Sequence, residues 1–266
     1  MKTYMQAWFR RKISERLLSI SIISITVALF ATSTGCKDST TDPNNTGQIG
    51  MTSKYSPSDS PSGRLSTTLP TERLGTGAID SLRITRARFV LRDIKYKTQS
   101  DSSNFRETPF VLELNLSSAI QDISVAGVPY GSYRKIEFDV HRIETNDVNS
   151  LTTADQLQFA DFVAGERYSI IVSGTIYTGG QSTAFTFRSR VNAKQKIDMV
   201  PELLISQSSA GANATMLISS GAWFKSSSGA LLDPNDGQNE NTISDNLRAS
   251  IKVFKDNNKD GSKDAN

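Results

Sequence analysis

The sequence predicts a mainly β protein, an antiparallel two-sheet β-sandwich with a short C-terminal amphipathic helix. Three observations predict it. From Asp80 onward, apolar residues fall into short runs rich in Ile, Val, Phe and Tyr, separated by Gly, Pro, Asn and Ser. No strand run alternates regularly with a helical run, which argues against the parallel βα architectures. Near the end the apolar period changes from two to four.

The first run carries Leu82, Ile84, Phe89, Val90, Leu91, Ile94 and Tyr96, and its alternation changes parity at Arg86-Ala87, as a β-bulge would cause. Residues 110–116 and 123–128 read as the next strands, ending in a Pro129-Tyr130-Gly131-Ser132 turn. Over 133–142, Ile136, Phe138 and Val140 face one side while Lys135, Glu137, Asp139 and His141 face the other, so one face is wet. Residues 152–163, with Leu157, Phe159 and Phe162, form a short helix or turn. Residues 168–177 and 185–191 flank Gly179-Gly180 as a hairpin. Residues 194–200 and 215–219 read as further strands, the former an edge because of its lysines. Ile243, Leu247 and Ile251 recur every four residues with Phe254 on the same face, and Thr242 or Ser244 can cap the start. The spacing therefore predicts a helix over 243–254, packed on the sandwich beside Trp223 and Phe224.

The front of the chain has a different composition. A basic region ends near Arg16, an apolar run covers 17–30, and the small residues of 31–35 precede Cys36. These are the three parts of an export signal, and the apolar run is shorter than the roughly 20 residues that a spanning helix needs. Ser33-Thr34-Gly35-Cys36 resembles the lipobox of bacterial lipoproteins, with Ser33 where an aliphatic residue is usual. That resemblance implies cleavage before Cys36 and attachment of diacylglyceryl and palmitate-type chains to it. Two or three such chains anchor firmly, at about 0.8 kcal/mol per buried methylene. Cys36 is the only cysteine, so no internal disulfide is available to an exported chain.

Behind Cys36, the polar and acidic residues 37–45 resemble the leader that sends some lipoproteins of Bacteroidetes-type bacteria to the cell exterior. Ser, Thr, Pro, Asn and Gly dominate from there to about Thr71, a composition that reads as a disordered tether. The expected organisation is a signal peptide (1–35), a tether (36–79), a β-sandwich domain (80–241), and a helix with an Asp-rich loop packed on it (242–266).

The chain has 30 Lys and Arg against 27 Asp and Glu, a formal charge of +3. Five cations and one acid lie in 1–35, which leaves the remainder at −1. No basic stripe remains to displace counterions from phosphates, so no nucleic-acid partner is expected.

The segments 88–94 and 128–138 and the closing Asp-rich region resemble an uncharacterised group of β-sandwich lipoproteins from environmental bacteria. They are also similar to a wider domain-of-unknown-function family in which a strand follows a Gly-x-Tyr turn. The resemblance covers about residues 80–266 and implies a fold and an envelope location, with no reaction attached.

The sharpest chemical motif is Asp256-Asn257-Asn258-Lys259-Asp260-Gly261-Ser262-Lys263-Asp264, of the form D-x-N-x-D-G-x-x-D. Calcium takes six to eight hard oxygens, and alternate residues of a tight loop can aim Asp256, Asn258 and Asp260 inward. Ser262 would add its carbonyl and Asp264 would complete the near side, so a structural calcium ion is the expected cofactor. The twelfth-position Glu of an EF-hand falls beyond residue 266, and Asp233, Asp236 or Glu240 are candidates to lend an oxygen.

His141, the only histidine, reads as an exposed strand residue sharing a face with Asp139, and no Gly-x-Ser-x-Gly elbow accompanies it. Glu113, Glu137 and Asp139 are candidate paired carboxylates. Tyr130, Tyr133, Tyr177 and Trp223 could form a sugar-stacking platform or pack the core. The expectation is a non-enzymatic lipoprotein of the cell envelope, held at the outer membrane and periplasmic or surface-exposed. Its role is binding, adhesive or structural, toward an unknown protein or glycan partner. The alternative is a carbohydrate-active enzyme or a sugar-binding accessory module.

Overall fold

Seventeen residues of continuous strand, Ser81–Lys97 (β2), organise the larger of two sheets. In the computed structural model, residues 45–57, 79–98 and 108–265 and the backbone of 102–106 are described. They fall in one compact unit, Thr41–Asn266. The signal peptide, Cys36 and residues 37–44 and 58–78 lie outside the described residues. Around β2 the chain adds β1 (Thr46–Ser56), β3 (Ser102–Arg106), β4 (Phe110–Glu113), β5 (Gln121–Pro129) and β6 (Gly131–Val140). Three short helices follow: α1 (Thr145–Asn149), α2 (Thr153–Gln158) and α3 (Ala160–Val163). Then come β7 (Ile170–Thr178), β8 (Gln181–Ser189), β9 (Ala193–Ile205), β10 (Gly211–Ser219), α4 (Glu240–Ala249) and β11 (Ile251–Lys255).

The seven-stranded sheet runs β8-β7-β2-β6-β9, with β3 and β4 also paired to β2, and the four-stranded sheet runs β11-β10-β1-β5. The parity change at Arg86 is a real register shift against β7, and a second lies between Arg92 and Lys95 against β6. Arg88 pairs with both Ile171 and Glu113, and Leu91 with both Val140 and Phe110. Since a strand has two sides, β7 and β6 occupy successive halves of one side of β2 and β4 faces them from the other. The segment carrying α1–α3 leaves and returns at that junction, where Val90 bonds both Ser169 and His141 through the backbone. Its Phe159 and Phe162 pack on Val90 and Ile171, away from the main core.

The main core is common to both sheets. Ile49, Met51, Ala214, Met216 and Ile218 of the smaller sheet join Phe89, Leu91, Ile136, Phe138 and Val172 of the larger. Trp223 sits between them with no exposed surface, in edge-to-face contact with Phe89 and Tyr55 at 6.0 and 6.4 Å between ring centroids. Tyr133, also core, is 1% exposed, whereas Tyr177 is exposed on the surface of β7. The mainly β expectation and the short C-terminal helix hold, and β9 is an edge strand as its lysines indicated.

Three expectations need correction. The stretch read as a tether contains β1, an interior strand whose Ile49, Met51 and Tyr55 are buried. Its glycines looked like linker residues but mark close approaches. A Cβ on Gly50 would stand 2.7 Å from Asn213 Oδ1, and one on Gly47 2.5 Å from Ala210 O. Second, β1 and β10 are parallel, so the sheets are not purely antiparallel. Third, the C-terminal helix ends at Ala249, and Ile251 and Phe254 belong to β11. Ser250 caps the helix end, its N–H donating to Asn246 O and Leu247 O and its hydroxyl donating to Leu247 O. The helix starts from Asn239, three residues ahead of Thr242.

Candidate functional site

The C-terminal loop grows out of β11 and folds back over the outer face of the smaller sheet. On β1 and β10, Ile49, Met51, Ala214 and Met216 point into the core, so alternation turns Thr52, Lys54, Asn213 and Thr215 outward. Thr52, Asn213 and Thr215 are nevertheless buried, because the loop covers them. Asp256 is the anchor, with no exposed surface. Its Oδ2 accepts the Gly261 amide at 2.9 Å and the Thr215 hydroxyl at 2.6 Å, and its Oδ1 accepts the Asp260 amide at 3.1 Å.

A carboxylate can only accept, which orders the hydroxyls behind it. Thr215 must donate to Asp256, so Thr52 donates to Thr215 at 2.6 Å, and the Asn213 side-chain amide donates to Thr52 at 3.0 Å. Donors aligned in one direction polarise one another, and this chain ends on a charge. The same Asn213 amide reaches Asp256 O at 3.0 Å. On the loop's far side, Lys54 Nζ donates to the carbonyls of Asp260 and Gly261 at 3.1 and 3.3 Å, and Lys259 pairs with Asp122 of β5 at 3.0 Å. The loop thus spans β10, β1 and β5.

The five residues singled out for calcium occupy this one loop, in two environments. Asp256 faces the sheet, while Asn258, Asp260 and Ser262 are exposed and Asp264 is half-buried. Asp260 accepts the Ser262 amide at 2.7 Å and the Asn258 side-chain amide at 2.9 Å, and Asp264 accepts the Asn257 amide at 3.0 Å. Those bonds and the Lys54 charge hold the Asp260 carboxyl below the ordinary carboxylate range. Among the described residues no three acidic, His or Cys side chains converge as a metal-holding group. Of the three proposed lenders, Glu240 pairs with Arg190 at 3.1 Å, and Asp233 and Asp236 each accept a local backbone amide.

A second polar cluster surrounds His141, which is 6% exposed rather than on a wet face. Its Nε2 lies 3.0 Å from Asp147 Oδ2, so its partner is the first turn of α1 and not Asp139. The same carboxylate oxygen accepts the Glu144 amide at 3.0 Å, closing the start of the helix. Arg92 lies 3.4 Å from Asp93, 3.8 Å from Asp147 and 4.0 Å from Asp139. Asp93 takes a positive φ of 53° at the β2 register shift, a conformation that Asp tolerates better than most residues. The cluster fixes α1 to the bulge.

Two of the three candidate catalytic acids, Glu113 and Glu137, are paired with cations, while Asp139 lies 4.0 Å from Arg92. Glu113 receives Arg86 at 2.9 and 2.7 Å, and this two-bonded guanidinium lowers its carboxyl pKa. Burial by itself would raise the pKa of Glu137, but Lys97 at 2.9 Å, with Lys196 and Lys194 nearby, holds it below the usual range. A carboxyl lowered in the folded state stabilises above its unfolded pKa, and that stabilisation is lost as pH falls through the folded value. Glu137→Gln is therefore expected to lower the urea midpoint at pH 7, with a smaller gap from wild type at about pH 3. An equal gap at both pH values would show that the effect is packing alone.

A cleft of about 310 Å³ lies between β4, the start of β5 and α2. Phe110 and Phe159 line it with Gln121, Asp122, Asp155 and Gln158. Gln121 Oε1 is buried there and receives no hydrogen bond. Sequence reasoning missed this site because its residues come from three separated segments with no shared motif. No helix among the described residues is long and apolar enough to cross a membrane. Cys36 lies outside the described residues. No family model matches the chain, and no curated protein or solved structure matches it at a significant level.

Proposed function

We propose that the protein is a lipid-anchored lipoprotein of the bacterial envelope, held by acyl chains on Cys36 at the outer membrane, with a non-enzymatic binding, adhesive or structural role. The observation that carries this reading is Ser33-Thr34-Gly35-Cys36, placed directly behind an apolar run and ten positions before the first strand. With β1 beginning at Thr46, the linker is nine residues long and reaches at most about 35 Å. The domain then works close to the bilayer, periplasmic or surface-exposed according to the leaflet. Two sheets sharing one core support a two-layer sandwich as the scaffold.

Within this reading the C-terminal loop clamps the outer face of the smaller sheet, and calcium bound to Asp256, Asn258, Asp260, Ser262 and Asp264 would stiffen the clamp. The loop is already closed by its own amides and Lys54, so the ion adds to a formed structure. A sugar-binding accessory role is the second reading, favoured by the cleft whose amide and carboxylate acceptors sit beside two aromatic rings. Labelling cells with a tagged fatty acid tests the anchor. The chain is expected to carry label in the wild type and none as Cys36→Ser, and equal labelling of both would remove the proposal.

A further inference from the structure

Among the described residues six strands pair on one side only: β11 and β5 of the smaller sheet, and β8, β9 and the short β3 and β4 of the larger. Five of them carry features that resist further pairing, β3 and β4 by having only five and four residues. β9 exposes Lys194 and Lys196, contains Pro201 and shifts register against β6. β11 has five residues, two of them lysines, and lies against β9. β5 carries the exposed Asp122, is interrupted opposite Met51 and Thr52, and lies beside β3.

β8 is long and regular, and its one charge, Arg188, lies near its end. All nine residues pair with β7 without a shift, and 181–187 contain no charge and no proline. The turn before it is Gly179-Gly180, with φ of 56° and 81°, the two positive values of a type I′ hairpin. That turn makes Thr178 and Gln181 the first hydrogen-bonded pair. Strict alternation then turns the N–H and C=O of Ser182, Ala184, Thr186 and Arg188 away from β7. Among the described residues none of these groups has a backbone partner outside the sheet ladder, and all four residues are exposed.

We infer that β8 is a self-association edge, on which a second copy of this chain pairs antiparallel and extends the larger sheet across a two-fold axis. The outward groups fix the parity, because only even-numbered residues can bond across the new seam. In the register centred on Phe185, Ala184 of one copy faces Thr186 of the other, and Ser182 faces Arg188. No like charges meet in that register. An isologous contact of this kind closes as a dimer and does not propagate. The pairing does not depend on whether Cys36 is acylated.

The full chain carrying Ala184→Cys, assayed in whole extracts of the expressing cell so that the result does not depend on the anchor, tests this with a short bismaleimide. The two introduced thiols stand on residues about 7–8 Å apart on the diagonal of the seam. A band at twice the chain mass is expected, at least fivefold stronger than from Lys194→Cys on the β9 edge or from the wild type. Adding Thr186→Pro should abolish it, because the Thr186 N–H points outward and its loss breaks no bond to β7. Thr186→Lys should do the same without touching the backbone. No dimer band from Ala184→Cys, a band as strong from Lys194→Cys, or one that survives both Thr186 variants would overturn the inference. A product at any other mass would assign the edge to a different partner and overturn it equally.

Discussion

Trp223→Ala is expected to destabilise the fold by about 4 kcal/mol, the largest effect of any single replacement considered, through loss of buried area and the cavity left behind. The indole has no exposed surface and contacts Phe89 from the larger sheet and Tyr55 from the smaller. Its removal therefore loosens contacts to residues of both sheets. The indole N–H is buried without a partner, so Trp223→Phe gives up no hydrogen bond and should cost much less than alanine. Urea titration is the appropriate measurement. The midpoint should fall steeply for alanine and slightly for phenylalanine, with the slope unchanged in both. Equal costs for the two variants would mean that the site is not packed as described.

Asp256→Ala is expected to cost about 3 kcal/mol, for a different reason. Its carboxylate is the common acceptor for Thr215, Asp260 and Gly261, and alanine leaves those donors without it under a covering loop. Asp256→Asn should also destabilise, since its amide group would have to turn N–H bonds toward donors that need an acceptor. Calcium should raise the melting temperature of the wild type and leave Asp256→Ala and Asp260→Ala unmoved, because an ion that binds only the native state stabilises it. An unchanged melting temperature in millimolar calcium removes the ion from the account while leaving the hydrogen-bonded clamp intact.

Local patterns revealed the strands and turns wherever one face of an element is wet. The parity change at Arg86, the Gly179-Gly180 hairpin and the lysine-rich edge of β9 are all readable within a few residues. β1 escaped because its outward positions carry one charge, Lys54, which is too little to expose a period of two. They hold Gly50 and Thr52, which suit contact with Asn213 and the C-terminal loop. Ile49, Met51 and Tyr55, two and four residues apart, were the signal that could have identified it. The helix was overextended because Ile251 happens to continue a four-residue spacing. The β-branched Ile251 and Val253, flanking Lys252, carry the competing period of two.

The candidate site divides in the same way. The aspartates of the loop are legible as a motif, since they share nine consecutive positions. Thr52, Asn213 and Thr215, which complete the buried polar chain, lie 41 to 204 residues from Asp256 in sequence, and only sheet pairing brings them together. His141 was misplaced because alternation along β6 ends where that strand does, at Val140. Beyond that point α1 folds over the imidazole and supplies Asp147.

Intact-mass analysis of the mature chain purified from membranes bears most directly on the account. A polypeptide beginning at Cys36 and heavier than its amino-acid mass by a diacylglyceryl group with two or three acyl chains is the expected result. A chain that starts anywhere else, or that carries an unmodified thiol at position 36, would contradict it.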